Sequence, residues 1–181
     1  MNHQDHVALL RPLVPATGGR WADFGSGDGA FTLALREIIG PAGEIFSVDK
    51  DKGRLAGQRH NFHSQFPASK VRWIQADFTR PLDLPPLDGI VAANALHFHR
   101  DQETLLRQWR GYLREGGRLV VVEYNVDSGN PWVPFPLSFE TFRRRATRAG
   151  FAEVLRGATR PSRFLGEIYS AVALTRVLID T

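Results

Sequence analysis

A chain of 181 residues without a cysteine is long enough for one well-buried core and too short for a cofactor domain joined to a separate substrate domain. The missing thiols exclude disulfides, thiolate metal sites and a cysteine nucleophile, and they make the cytoplasm the expected compartment. The formal charge of +4 raises nucleic acid as a partner, but eight arginines against Glu153, Glu167 and Asp180 lie between Thr141 and Thr181, so the excess is local. Its densest part, Arg143, Arg144, Arg145 and Arg148, falls on one predicted helix, where a solvated face accounts for it and nucleic acid is not the expected partner. The N-terminus has neither a basic nor an apolar signal region, and no apolar run is long enough to span a bilayer, so a soluble protein is expected.

In chain order, Val7, Leu9, Leu10 and Leu13 predict a short lid or packing helix over residues 5–14, closed by Pro12 and Pro15. Gly19 to Phe24 reads as a buried strand that runs into Gly25-Ser26-Gly27-Asp28-Gly29, and the periodic run Ala30 to Ile39 reads as a helix ended by Gly40-Pro41. A strand, a glycine turn and a helix make a nucleotide cradle. A dinucleotide would bring its pyrophosphate against Asp23 and Asp28 as well as the helix N–H groups, whereas S-adenosylmethionine would bring an ammonium and a sulfonium to those acids. Gly25-x-Gly27-x-x-Ala30 also satisfies the looser dinucleotide pattern, so both cofactors stay open at this point.

The second strand, Glu44 to Val48, closes on Asp49, whose carboxylate at a strand tip can accept both hydroxyls of a ribose; capping the helix that begins near Asp51 is its other use. That polar helix runs to about Phe66. A third strand, Val71 to Gln75, leads into Ala76-Asp77-Phe78, where Asp77 can accept from an adenine amino group while Phe78 packs on the base; a plain turn is the alternative. Pro81, Pro85 and Pro86 mark a loop before strand four, Asp88 to Ala93. Asn94-Ala95-Leu96-His97-Phe98-His99 then stands where a doubly wound sheet puts its reacting groups. Asp101 caps a helix to about Tyr112, and Glu115-Gly116-Gly117 turns into strand five, Arg118 to Tyr124. The Pro- and aromatic-rich segment 125–137, with Trp132 and Phe135, is a lid candidate. Ser138 is a plausible N-cap for a helix to Ala149, with Leu137 and Phe142 placed as a staple. The strands Ala152 to Arg160 and Phe164 to Leu174 are too closely spaced for a parallel crossover and must form a hairpin.

Five α/β repeats ending in a hairpin resemble the class I S-adenosylmethionine-dependent methyltransferases, and Ala95-Leu96-His97-Phe98 looks most like their small-molecule branch. The resemblance covers about residues 16–175 and rests on Asp23 through Gly29, Asp49, Gln75-Ala76-Asp77, Asp88 through Leu96 and Leu113 through Leu119. It implies a single α/β domain over residues 1–181 with a doubly wound, Rossmann-like, seven-stranded sheet of order 3-2-1-4-5-7-6, mostly parallel with the last strand antiparallel. It implies S-adenosyl-L-methionine as cofactor, with contacts from Asp23, Gly25, Ser26, Gly27, Gly29, Asp49, Lys50, Asp77, Phe78 and Asn94. A small-molecule acceptor and a monomer or homodimer are expected. No Asn-Pro-Pro-Tyr-like motif follows strand four, which counts against amide and adenine acceptors. An RNA or protein methyltransferase, a non-catalytic binding protein of the same fold and a nicotinamide oxidoreductase are the alternatives.

A sulfonium is already a good electrophile, so such a protein must mainly align donor with acceptor and exclude water. Where the acceptor must lose a proton, His97 is the base candidate by position and type; a packing or loop-bonding histidine is its other reading. His97, His99 and Asp101 alternate on a loop without convergent geometry, and no metal is expected.

Overall fold

A computed structural model describes residues 1–16 and 18–177. Residue 17 and residues 178–181, including Asp180 of the charge count, lie outside the described residues. Strands β1 (Arg20–Phe24), β2 (Glu44–Asp49), β3 (Lys70–Gln75), β4 (Leu87–Ala93) and β5 (Leu113–Tyr124) run parallel, and β7 (Gly166–Leu174) lies antiparallel between β5 and β6 (Glu153–Ser162). The sheet order is β3-β2-β1-β4-β5-β7-β6, the one the resemblance implies, with the last strand reversed.

The central strands are buried along nearly their whole length because helices cover both faces. Helices α1 (His3–Leu10) and α2 (Ala30–Ile39) bring Leu9, Leu10, Leu35 and Ile38 against Ile45, Val91, Val120 and Val172. On the other face α4 (Gln102–Arg110) and α5 (Phe139–Arg148) bring Leu106, Trp109, Phe142 and Ala146 against Phe24, Ile90, Leu119 and Tyr169. Each fully buried Leu or Phe contributes about 1.5–3 kcal/mol, so burial rather than helix propensity holds these short helices. Helix α3 (Lys52–Gln65) is the exception, burying only Leu55, Gln58 and Phe62. Ser138 caps α5 by accepting from Thr141 N, as its position predicts.

Two expectations change. Helix α1 stops at Leu10, and the turn after it carries Leu13 onto β6, where Gly157 leaves room: a Cβ there would lie 2.7 Å from Leu13 Cδ1. The segment therefore packs against α2 and the β6–β7 hairpin and does not cover the strand tips. Strand β5 starts at Leu113 rather than Arg118, because Leu87 pairs with Leu113 and Gly89 with Arg118 across an irregularity. The glycine pair forms a bulge, with Gly116 at φ 68, not a turn before the strand. Among the described residues no helix is long and apolar enough to cross a membrane.

Candidate active site

The strand order reverses between β1 and β4, and ligands in such sheets bind beyond the carboxyl ends at that point. A cavity of about 710 Å3 opens there. Its wall brings together Gly25, Asp49, Lys50, Asp77, Phe78 and Asn94 of the expected residues; Asp23, Ser26, Gly27, Gly29 and His97 do not line it.

The glycine loop divides its work. Gly25 has φ 73, and a Cβ on it would come within 3.0 Å of Ala95 Cβ and 3.1 Å of Phe78 Cε1. It keeps the cavity wall open. Gly29 opens α2 at φ 84 and faces α3, since a Cβ there would lie 2.4 Å from Gln58 Cγ. The Ser26 hydroxyl is turned inward, accepting from Ser47 Oγ at 2.8 Å and Gln58 Nε2 at 3.3 Å. Asp49 Oδ2 accepts the Gly27 N–H at 2.8 Å and Oδ1 accepts the Asp51 N–H at 2.9 Å. The cap of α3 belongs to Asp51, which accepts from Arg54 N at 3.0 Å, so Asp49 is left to shape the loop and face the cavity.

The two acids of the glycine loop do not face the cavity as the sequence leads one to expect. Asp23 is buried beneath the loop, where its carboxylate accepts from Thr32 Oγ1 at 2.6 Å. Burial pushes its pKa up to about 7, with Asp49 adding to the rise against the Thr32 bond. Asp28 points away, its side chain 84% exposed. Neither acid meets the cavity. Arg54, in the first turn of α3, instead leans over the loop, with Nη1 3.5 Å from where a Gly27 Cβ would sit. Arg54, Lys50 and Arg100 thus line the cavity beside Asp49, Asp51, Asp77 and Asp101. Counting charges along the loop cannot show which neighbouring helix folds back over it.

Asp77 accepts from Thr79 N at 2.9 Å and Thr79 Oγ1 at 2.7 Å, and these bonds hold its carboxyl below the usual carboxylate range. Phe78 meets His99 edge-on at 5.3 Å and Trp109 at 5.5 Å. His99, absent from the expected set, lines the same wall, and burial lowers its pKa. Asn94 stands at the tip of β4 with φ 51, the one non-glycine residue at positive φ among those described, and its buried Oδ1 has no hydrogen-bond partner. Buried carbonyls are rarely left so.

Past Asn94 the chain makes a 3₁₀ turn, Leu96–Phe98. His97 in that turn is 3% exposed, and its Nδ1 lies 2.7 Å from Oε2 of the fully buried Glu123. Glu123 Oε1 accepts the Leu96 N–H at 2.9 Å. Sequence reasoning missed Glu123, although a lone acid ending the apolar run Leu119 to Val122 was a signal for it. Gln102, also missed, is buried and donates to Leu96 O at 3.1 Å and Phe135 O at 2.7 Å, while Arg145 donates to its Oε1. Phe135 N donates to His97 O at 2.9 Å, so the lid candidate is fastened to the turn and lies off the cavity wall. Arg145 is therefore a brace between α4 and α5, not part of a free outer face.

A family model described as a methyltransferase domain matches residues 22–119. The chain is similar to the ubiquinone/menaquinone biosynthesis C-methyltransferase UbiE of Ectopseudomonas mendocina, with 31% identity over 115 residues that make up 63% of this chain and 44% of that protein. The UbiE of Azotobacter vinelandii is 31% identical over 112 residues, 61% of this chain and 44% of that one. The chain thus spans less than half the length of these relatives. A methyltransferase structure described as SAM-dependent, from Aquifex aeolicus, superposes with TM-score 0.73 and 16% identity over 94% of this chain and 89% of that one. The phosphoethanolamine N-methyltransferase 2 of Haemonchus contortus, solved with phosphomonomethylethanolamine and S-adenosylhomocysteine, gives 0.75 and 14% over 97% of this chain and 53% of that one. At these identities the likeness of the structures is one of fold.

Proposed function

The chain belongs to the methyltransferase domain family, and from that premise we propose that it transfers a methyl group from S-adenosyl-L-methionine to a small-molecule acceptor. The observation that carries the cofactor assignment is Asn94: a buried, unpartnered carbonyl oxygen held at positive φ beside the side-chain-free Gly25 fits the amino group of the cofactor's methionine part. Asp49, with lone pairs to spare after its two backbone bonds, would take the ribose hydroxyls. Asp77 would accept from the adenine amino group, Phe78 would pack on the base, and Lys50 would border the ribose. Gly25, in the wall, would let the ligand approach the backbone closely, while Ser26, Gly27, Gly29 and Asp23, off the wall, would shape the cradle.

When bound, the cofactor supplies a methyl group already activated by the sulfonium, so the protein needs no side-chain nucleophile. Its own residues orient the two partners and keep water out. His97 would be the base for an acceptor that must lose a proton, and the 2.7 Å contact with Glu123 would hold its ring. The exposed arginines of α5, Arg143, Arg144 and Arg148, stand away from the cavity, which favours a small acceptor over RNA. The relatives named for ubiquinone and menaquinone biosynthesis support the same choice.

The test is calorimetric titration with S-adenosylhomocysteine, with NADH as the control, followed by methyl transfer from labelled S-adenosylmethionine to separated metabolite, RNA and protein pools. Binding of S-adenosylhomocysteine alone and label in the metabolite pool are expected. Label confined to RNA or protein would overturn the small-molecule assignment, and binding of NADH alone would overturn the methyltransferase one.

A further inference from the structure

The end of the sheet opposite the strand tips carries a second cavity, of about 610 Å3, walled by the end of α4, the start of β5, the glycine that stops α5 and the chain leaving β7. Three of its side chains are arginines, Arg110, Arg114 and Arg176, and one, Glu115, is an acid. Arg114 is paired with Asp88, which also accepts the Arg20 N–H. Arg110 and Arg176 form no ion pair among the described residues, with Glu115 or any other acid.

Two helices end at this corner, and their terminal carbonyls attract cations, which explains why arginines gather there. It does not supply Arg110 with a partner. Its Nε is shut away from water and makes no hydrogen bond among the described residues. Gly150, left-handed at φ 94, lies against it, with Nε 3.4 Å and Cζ 3.5 Å from where a Cβ would sit. Arg110 is thus held in the wall by packing and not by a counter-charge. A charge partly withdrawn from water without an acceptor is costly, and a ligand that brings the acceptor relieves that cost.

We propose that this cavity binds a small compound carrying a phosphate group, whose oxygens are taken by the guanidinium groups of Arg110 and Arg176. The planar fork of an arginine matches two oxygens of one phosphate or carboxylate. A phosphate ester brings about −1.5 to −2 charges and three acceptor oxygens, enough for two unpaired guanidiniums, whereas a carboxylate brings one charge. The volume falls in the range of small-molecule sites, roughly 300–1,000 Å3. Helix α4 opens on the cofactor cavity with Asp101 and Thr104 and closes on this one with Arg110. Its nine residues span about 14 Å, so the two sites are separate and can be filled together. The site stands independently of the methyl transfer proposed above.

The probe is phenyl phosphate, titrated calorimetrically into the whole chain in a low-salt buffer free of phosphate and sulfate, with benzoate as its carboxylate counterpart. Saturable binding with a Kd below about 1 mM is expected, about tenfold tighter than that of benzoate. An excess of S-adenosylhomocysteine should leave that Kd within about twofold. Arg176→Gln, at an exposed position whose change does not threaten folding, should raise the Kd about tenfold. Arg110→Gln should do the same and abolish the rise in Tm that phenyl phosphate gives the parent. Arg143→Gln, on the exposed side of α5, should bind the probe as the parent does. Absence of saturable binding, equal affinity for benzoate, or an unchanged Kd in Arg176→Gln would each overturn the proposal. Displacement of the probe by S-adenosylhomocysteine would overturn it too, by placing the anion among Lys50, Arg54 and Arg100 of the cofactor cavity.

Discussion

Replacing Asp49 with alanine should weaken cofactor binding by about 2–4 kcal/mol. A carboxylate offers about four lone-pair positions. The Gly27 and Asp51 N–H groups take two of them, and two remain facing the cavity for neighbouring ribose hydroxyls. Two charge-assisted bonds at about 1–2 kcal/mol net each give the stated loss, or about 30- to 1,000-fold in Kd. The same change strips two backbone donors of their acceptor at about 1 kcal/mol each, which in a chain of this size lowers Tm by about 4–8 °C and leaves a folded protein. The assay is calorimetry with S-adenosylhomocysteine on a variant whose circular dichroism matches the parent. Asp49→Asn, keeping one acceptor oxygen, should fall between the two. If folded Asp49→Ala binds within about twofold of the parent, Asp49 is a loop brace only and the ribose assignment fails.

Asp23 gives a pH prediction with a definite sign. Its folded pKa of about 7 stands above the unfolded value of 3.8, so between about pH 4 and pH 7 the folded chain keeps a proton the unfolded chain has lost, and stability falls as pH rises through that window. The slope is at most about 1.4 kcal/mol per pH unit, and Asp23→Asn, which still accepts from Thr32, should flatten it in urea melts; an unchanged slope would refute the assignment. On α5, Arg144→Gln combined with Arg148→Gln should change cofactor affinity and methyl transfer by less than about twofold, under roughly 0.5 kcal/mol. Arg145→Gln should cost about 1–2 kcal/mol of stability by releasing Gln102. A tenfold loss of transfer in the double variant with the fold intact would show that α5 contacts the acceptor.

The strand tips were readable because their signals are local, and the sheet order came with the family resemblance that those tips carry. Glycines at fixed offsets, an Asp ending β2 and an Asp following β3 announce themselves over a few residues, and each lies within one strand end. The groups that sequence could not supply arrive from elsewhere along the chain. Arg54 reaches the glycine loop from α3, Gln58 from the same helix fills the space beside Gly29, and Glu123 reaches the 3₁₀ turn from the neighbouring strand. Gln102 shows the same limit, since nothing in a polar residue after a cap says that its amide will join two carbonyls 39 positions apart, Leu96 and Phe135. The bulge at Gly116 was misread because a glycine pair marks a turn and a bulge equally well, and only the partner strand's register decides between them.

The unpartnered oxygen of Asn94 has a consequence for selectivity. Folding has already withdrawn that carbonyl from water, so a ligand that brings a donor there gains a hydrogen bond without having to dehydrate its acceptor. A ligand of the same shape without the donor leaves the oxygen as it was and gains nothing from it. Sites built around a buried polar group discriminate in this lopsided way, rejecting the analogue that lacks a single N–H far more sharply than one differing by a methyl group. At the tip of β4 the discrimination is set before any ligand arrives: a left-handed backbone holds one amide where water does not reach.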